Sequence, residues 1–391
     1  MKPYVESTPE IQWKHLLFFT STALLALLGA PIYVYHYGLS ISEVLLFLFM
    51  VVATGLSITV GYHRLYAHAT FKAHPIIHFL TLFFGAAAFE QSALLWSAQH
   101  RSHHQYVDTD KDPYSIKKGF FYAHIGWILF WKQNMPNNVK DLQKNFLLRH
   151  QHQYYDVWSL GAGIVFPLLI GILTGHLLGA FLISICARFT LIHHSTFSIN
   201  SVCHMFGKAT YDIYASAKDH WLVAFLTNGE GYHNFHHRFP SDYRNGVRWY
   251  QWDPSKWVIF IFSTLGLAKN LRRVSRFRIL AARLEAQNQM INDAISTHLQ
   301  DHSNLQHIRN ALTIQYQHLK STLEHWDHAV KEYQALLIEK GSQQSEDFHK
   351  EILKRIRQAR AQFRKIYMEW TNLISLHPLD LQKNILTYSV S

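Results

Sequence analysis

Apolar residues in the first two hundred positions come in long, nearly unbroken runs. Four reach the ~20 residues that a bilayer requires: about Leu16 to Tyr35, Ile41 to Tyr62, Val157 to Leu178 and Ala180 to Ile199. The first and second are almost contiguous, as are the third and fourth, so each pair is expected to form a hairpin with a short turn. Ile76 to Ala88 is too short to span and is followed at once by Glu90, Gln91 and Ser92, which marks it as an interfacial or core helix. Phe120 to Trp131, with His124 inside it, and Val258 to Leu267 read as further short apolar helices.

From about Ser275 the pattern changes. Gln, Lys, Arg, Glu and His dominate, and apolar residues recur at helical steps, as in Leu312, Ile314, Tyr316, Leu319, Leu323 and Trp326. Gly341-Ser342-Gln343-Gln344-Ser345 reads as a break between helices. The expectation is an all-α integral membrane protein. Residues 1–15 form a cytosolic N-terminus, 16–274 a four-span domain with a cytosolic helical cap, and 275–391 a coiled-coil-like helical extension whose role stays open among self-association, redox-partner docking and lipid-surface contact.

Charge orients the spans. The turns near Tyr37–Leu39 and Gly175–Gly179 contain no Lys or Arg, whereas His63 to Asp156 contains ten. Positive residues stay on the cytoplasmic side, so both termini and the middle segment are expected there. With spans present, the net charge of +11 fits anionic headgroups or an anionic substrate, and nucleic acid is not expected as a partner. The polar start, MKPYVESTPEIQWK, gives no sign of a cleavable signal peptide. Two cysteines, Cys186 and Cys203, make no disulfide framework.

Histidine is the anomaly, with 28 residues. Three clusters stand out: His63 with His68, His100-Arg-Ser-His103-His104, and His233-Asn-Phe-His236-His237. The latter two share the pattern HxxHH. On a helix, positions i, i+3 and i+4 share a face, so each box is expected to aim three imidazoles at one point. His63 and His68, five apart, diverge by about 140° on a regular helix; they serve two different metals, or the helix breaks between them. Eight histidines exceed the needs of one first-row ion and suit two. His204 adds a ninth, and Asn200, one turn earlier, shares its face. The groups meet on one side only if Ile76–Ala88 does not cross. His193 and His194 lie ~15 Å or more from His204 along one helix and read as cavity-lining or structural. His298, His302, His307, His318, His325, His328 and His349, on the tail, read as solvated surface.

Several blocks resemble the membrane fatty-acyl desaturases of the stearoyl-CoA Δ9 type. They are Gly61-Tyr-His63-Arg-Leu-Tyr-Ala-His68, Asp108-Thr-Asp110-Lys-Asp112-Pro113, Gly119 to Trp127, Asn200-Ser201 with His204, and Asn228 to His237 running on to Phe239-Pro240 and Asp242-Tyr243-Arg244. The resemblance covers roughly Ser21 to Leu271, and its last block is similar to bacterial members. It implies two irons held by the nine histidines, with Asn200 completing the site through water, and O2 as co-substrate. It also implies a cis double bond, at Δ9, introduced into a long saturated acyl thioester or acyl lipid. His-Pro-Gly-Gly, the mark of a fused cytochrome b5 domain, is absent. Electrons are therefore expected from a separate ferredoxin, cytochrome b5 or reductase. Ala98-Gln99 stands where many members carry an acidic residue directly before the second box and animal enzymes a basic one before that, so the resemblance does not carry over how an acyl-CoA headgroup is held. A bacterial inner-membrane protein with its active site facing the cytoplasm is the expected setting.

Asp108, Asp110, Asp112, Glu230 and Asp242 are candidates to orient the ligands. Trp96, Trp127 and Trp249 are candidates to line an acyl tunnel, Phe47 and Val51 to close it, and Lys117, Lys118 and Arg244 to meet an anionic head. Two other readings stay open. A related di-iron hydroxylase would use similar boxes, and a zinc-handling membrane protein would bind metal without redox chemistry.

Overall fold

The computed structural model describes residues 9–132, 135–298, 305–338 and 346–376. The expected break at Gly341–Ser345 and His302 lie outside them. The chain divides into two compact units, Met1–Ala209 with Tyr214–Arg273, and Thr210–Ile213 with Val274–Ser391.

Among the described residues of the first unit, four helices have the length and apolarity to cross a bilayer: Trp13–Tyr37, Ile41–Ala67, Tyr155–Leu173 and Leu177–Met205. Both expected hairpins form. The second span is capped by Ser40 and Glu43, each side chain bonding the other's backbone N–H. The third span ends earlier than the apolar run suggests, at Leu173, because Gly175 takes φ 76° and turns the chain. Hydropathy continues through that turn and cannot see it.

Beside the turns, the buried Glu43 accepts a hydrogen bond from Tyr33 Oη at 2.7 Å. A Cβ on Gly179 would land on the Glu43 carboxylate. Gly179→Ala is therefore expected to lower stability by ~1–3 kcal/mol, read as a reduced melting temperature in detergent; an unchanged transition would contradict this packing.

Pro75–Ala86 is a helix of 12 residues that does not span. Its exit is held by two fourth-span side chains. Arg188 is fully buried and donates to Ala87 O at 2.6 Å and Gly163 O at 2.8 Å, and His193 Nε2 donates to Ala88 O at 2.7 Å. Carbonyls ending inside an apolar region need such donors. Arg188 was not singled out from sequence, although it stands inside the fourth apolar run, where a charged side chain needs partners in the interior.

The last eleven residues of the second span, Ser57–Ala67, wind as a π-helix. One antiparallel pair of two-residue strands, Lys72–Ala73 with Ala268–Lys269, ties the start of the cap to its end; the all-helical reading contained no strand.

The second unit contains helices Arg276–His298, Leu305–Ile338 and Glu346–Ser375. They bury a core that includes Leu284, Ile295, Leu312, Leu319, Trp326, Phe363 and Trp370. Ile314, expected on the apolar stripe, is 68% exposed; two residues from Leu312 is more than half a turn away.

Candidate metal centre

The nine histidines converge into two groups, His63, His68, His100, His104 and His236 in one, and His103, His204, His233 and His237 in the other. The ligating nitrogens within each group lie within 4.8 Å of one another.

The first sequence expectation about grouping needs correction, and of the two alternatives in the second only one holds. Neither HxxHH box aims at a single point. His100 and His104 enter the first group while His103 enters the second, and His233 and His237 enter the second while His236 enters the first. At about 100° per residue, i and i+4 lie ~40° apart but i+3 lies ~60° to the other side. Each box therefore straddles two points. His63 and His68 belong to one group, so they do not serve two metals; the departure from a regular helix between them is the alternative that holds. The π-helical stretch supplies the reason: His68 N–H bonds to His63 O, an i to i+5 step, at 3.1 Å. That winding brings residues five apart onto one side, with ring centroids 4.8 Å apart.

The donor set fits metal. Nε2 atoms meet Nε2 atoms: His63 and His236 at 3.0 Å, His68 and His100 at 2.9 Å, His104 and His236 at 2.9 Å, His204 and His233 at 3.0 Å, His233 and His237 at 3.0 Å. Several opposite nitrogens have acceptors. His63 Nδ1 lies 2.7 Å from Glu230 Oε2, His103 Nδ1 2.9 Å from Asp112 Oδ1, and His204 Nδ1 2.6 Å from Ser216 Oγ. With the proton on Nδ1, the Nε2 lone pairs point at each other, and a cation between them resolves that repulsion. Burial first, and neighbouring imidazoles second, push His68, His100, His104, His233, His236 and His237 well below the ordinary histidine range. Burial thus favours the neutral ring, the form a ligand takes.

The supporting shell is only partly the expected one. Asp112 and Glu230 touch histidines directly. Asp108 acts one step back, accepting from Ser216 N at 2.9 Å. Asp242 clamps Arg244 through two bonds of 2.9 and 2.8 Å, and Asp110 is exposed. Sequence reasoning missed Arg64. It is 1% exposed and bonds Glu230 Oε1 at 3.0 Å, Asp253 Oδ1 at 2.9 Å and Tyr243 O at 2.9 Å. Burial pushes the Glu230 carboxyl up, but His63 and Arg64 outweigh it and hold the group below its ordinary value. Asp219, also missed, accepts from Asn234 N and Phe235 N and so caps the His233–Arg238 helix. Arginine directly after a box histidine was the one available hint to the Arg64 network.

A cavity of about 400 Å³ reaches His63, His100 and His233. Phe18, Phe19, Ile58, Ile192 and Phe197 supply apolar wall, and Asn200, Trp96 and Trp127 also line it. The Trp96 ring stacks on His100 at 4.9 Å. Gly55 is the cavity-lining residue of the second span farthest from the histidines; Val51 and Phe47 lie one and two turns beyond it. Lys117 is exposed and Lys118 sits over the Tyr122 ring, whereas Lys14 and His15 line the cavity. Trp249, expected in the tunnel, is instead 86% exposed and lines a separate groove. An aromatic residue suits a tunnel and an interface equally, and composition does not separate them.

Glu90 lines the cavity as well, accepting from Trp96 Nε1 at 3.2 Å and Thr196 Oγ1 at 2.9 Å. Burial pushes its carboxyl up to about 7, against the pull of those two bonds. An unfolded chain releases this proton near 4.5. Between those values the folded state holds more protons, so stability falls as pH rises through the window. Glu90→Gln is therefore expected to match the parent near pH 4.5 and to melt on the order of 3 °C higher near pH 8. A pH-independent difference would remove the carboxyl as its cause.

Fold and site together define a mostly helical, multi-pass membrane protein with a histidine-rich centre suited to a pair of metal ions. The model of the family described as "Fatty acid desaturase" matches residues 41–259, more than half of the chain. A "Probable acyl-CoA desaturase" of Schizosaccharomyces pombe is 38% identical over 265 residues, 67% of this chain and 54% of that protein. "Stearoyl-CoA desaturase 4" of Mus musculus is 31% identical over 285 residues, 70% of this chain and 78% of that protein. The "sn-2 palmitoyl-lipid 9-desaturase" of Nostoc is 32% identical over 271 residues, 68% of this chain and 92% of that protein. The chain spans about half the length of its yeast relatives. It belongs to the fatty acid desaturase family.

Proposed function

We propose that this chain is an O2-dependent fatty-acyl desaturase that places a cis double bond, at Δ9, in a long saturated acyl chain. The observation that carries the reading is the pair of imidazole groups at the end of an aromatic-lined apolar cavity. His63, His68, His100, His104 and His236 would hold one iron, and His103, His204, His233 and His237 the other; Asn200 lines the same cavity and would complete the site. All-imidazole coordination suits iron, zinc and copper alike, and a redox-active pair is what breaking unactivated C–H bonds requires. When bound, the metal pair supplies the oxidising chemistry with O2.

Two adjacent methylenes each lose one hydrogen. O2 takes up those two hydrogens with two external electrons and two protons, leaving an alkene and two waters. The chain's own part is to bind and orient. Phe18, Phe19, Ile192 and Phe197 enclose the acyl chain and exclude water, while Glu230 and Asp112 hold protons on Nδ1 of His63 and His103. Electrons come from a separate ferredoxin, cytochrome b5 or reductase, and the centre faces the cytoplasm of a bacterial inner membrane. The substrate is an acyl thioester or an acyl lipid, since named relatives are of both kinds. Those relatives' names favour desaturation over hydroxylation.

The test is expression in a host lacking unsaturated fatty acids, with double bonds located in its lipids by mass spectrometry. A Δ9 alkene, lighter than its parent by two hydrogens, supports the reading. A product carrying one added oxygen establishes the hydroxylase instead, and no product in cells that accumulate metal-loaded protein with a competent electron donor overturns it.

A further inference from the structure

The cavity that reaches the histidines has one wall residue that does not suit a hydrocarbon. Glu90 lines it among apolar neighbours that include Phe18, Phe19, Phe89 and Ile192. The backbone is bent to put the carboxyl there. Phe89 and Gln91, on either side, both take the left-handed conformation, at φ 57° and 77°. That conformation is costly for a side chain as bulky as phenylalanine, and such strain collects at functional sites. The carboxyl also ties two elements together along the wall. Trp96 Nε1 donates to its Oε2 at 3.2 Å, and Thr196 Oγ1 donates to its Oε1 at 2.9 Å. Trp96 in turn stacks on His100, and Thr196 stands one turn before Asn200 on the fourth span. A chain whose methylenes reach the histidines therefore lies along Glu90.

The groups around it are Lys14 and His15 from the first span, Tyr62 from the second, Tyr155 and Asp156 from the third and His193 from the fourth. His152 bonds Ser92, two residues on, at 2.6 Å. Among the described residues none of these bonds the Glu90 carboxyl. Its raised value comes from burial against two hydrogen bonds, and no neighbouring charge contributes. The side chain keeps partial access, and that access is to the cavity. Water is what stabilises a carboxylate there, and an acyl chain displaces it. A carboxylate against methylenes loses that solvation, whereas a neutral carboxyl loses far less. Filling the cavity and protonating Glu90 must then favour each other to the same degree.

We propose that Glu90 is an acyl-chain-binding residue that couples entry of the chain to a proton: the saturated chain binds with Glu90 neutral and is released toward water when Glu90 is a carboxylate. The inference rests on the reading of this cavity as the acyl site, and it adds a pH dependence that an apolar wall alone would not have. Its effect falls on substrate affinity, because Glu90 touches the wall and not the metal ligands.

Equilibrium binding of radiolabelled methyl stearate to the full-length, metal-loaded protein in detergent tests it, since that probe has no ionisable group. Metal content is checked at each pH. With the carboxyl at about 7 in the open cavity, roughly one Glu90 in eleven is neutral near pH 8, so Kd is expected to rise about tenfold from pH 6 to pH 8. Calorimetry in two buffers should show close to one proton taken up per chain bound near pH 8. Glu90→Gln makes Kd flat over that range and abolishes the uptake. Thr196→Val, which removes a bond that lowers the Glu90 value, moves the rise to higher pH. The double variant His15→Gln with His152→Gln, which removes the two histidines with access to water, keeps the slope. A flat Kd in the parent, or a slope that survives Glu90→Gln, overturns the proposal and leaves the acyl cavity standing. Absence of methyl stearate binding at every pH overturns both the acyl reading of the cavity and this inference.

Discussion

Replacing His236 with alanine is expected to bring acyl desaturation to background, a loss of at least ~10³-fold, or about 4 kcal/mol of transition-state stabilisation. His236 is central to the five-histidine group. Its Nε2 lies 3.0 Å from that of His63 and 2.9 Å from that of His104, and the ring is 1% exposed. No other side chain can swing into that place, because the centre is packed with its own ligands. The fold should survive. Asp219 still caps the helix, and Phe235 still anchors it in the interior. Metal analysis should then show close to one ion lost per chain, not both, because the second group keeps His103, His204, His233 and His237. His307→Ala, at an exposed position of the second unit, is the matched control and should change neither activity nor metal content. Normal product from the His236 variant would end the assignment of this group. Loss of both ions would show the two groups to be one cooperative site.

The largest stability effect is expected at Arg64. Its guanidinium lies against Glu230 and Asp253 with almost no access to water, and both carboxylates are themselves buried. Arg64→Met keeps the volume and removes the charge. Two carboxylates are then left without their cation in an interior site, and breaking such a pair from one side costs about 3–5 kcal/mol. Glu230 also lies 2.7 Å from His63 Nδ1, so the damage should reach the metal centre. Metal affinity is expected to fall 10- to 100-fold, the usual effect of losing a ligand's supporting carboxylate. Arg64→Lys should recover little, since one ammonium cannot bridge both acids and the Tyr243 carbonyl. Thermal unfolding and metal titration in detergent measure the two effects. A methionine variant as stable as the parent would show that this network does not hold the cap together. Glu230→Gln separates the contributions: it should weaken metal binding while costing less stability, because an amide can still accept from Arg64.

Some of this was open to reading in one dimension. Twenty-residue apolar runs betray their spans because a bilayer core tolerates no unpaired backbone, and the short apolar helix announced its failure to cross by its length. Box spacing marked eight of the nine gathered histidines, because ligands must be of a type and must repeat at a helical step; His204 was marked by its place after the fourth span, one turn from Asn200. The family could be recognised from the same blocks. Sequence did not reveal which imidazole joins which partner. That partition depends on a π-helical winding at 57–67 and on how far each box helix is rolled, and both are set by packing against other elements. Arg64, Asp253 and Arg188 were missed for one reason. Each works through a partner distant in the chain, 166 residues away for Arg64 and Glu230, and local pattern carries no information about contacts closed at that range. Trp249 shows the converse: its type was noticed, but whether an aromatic ring ends in a tunnel or at a surface is decided only when the chain around it folds.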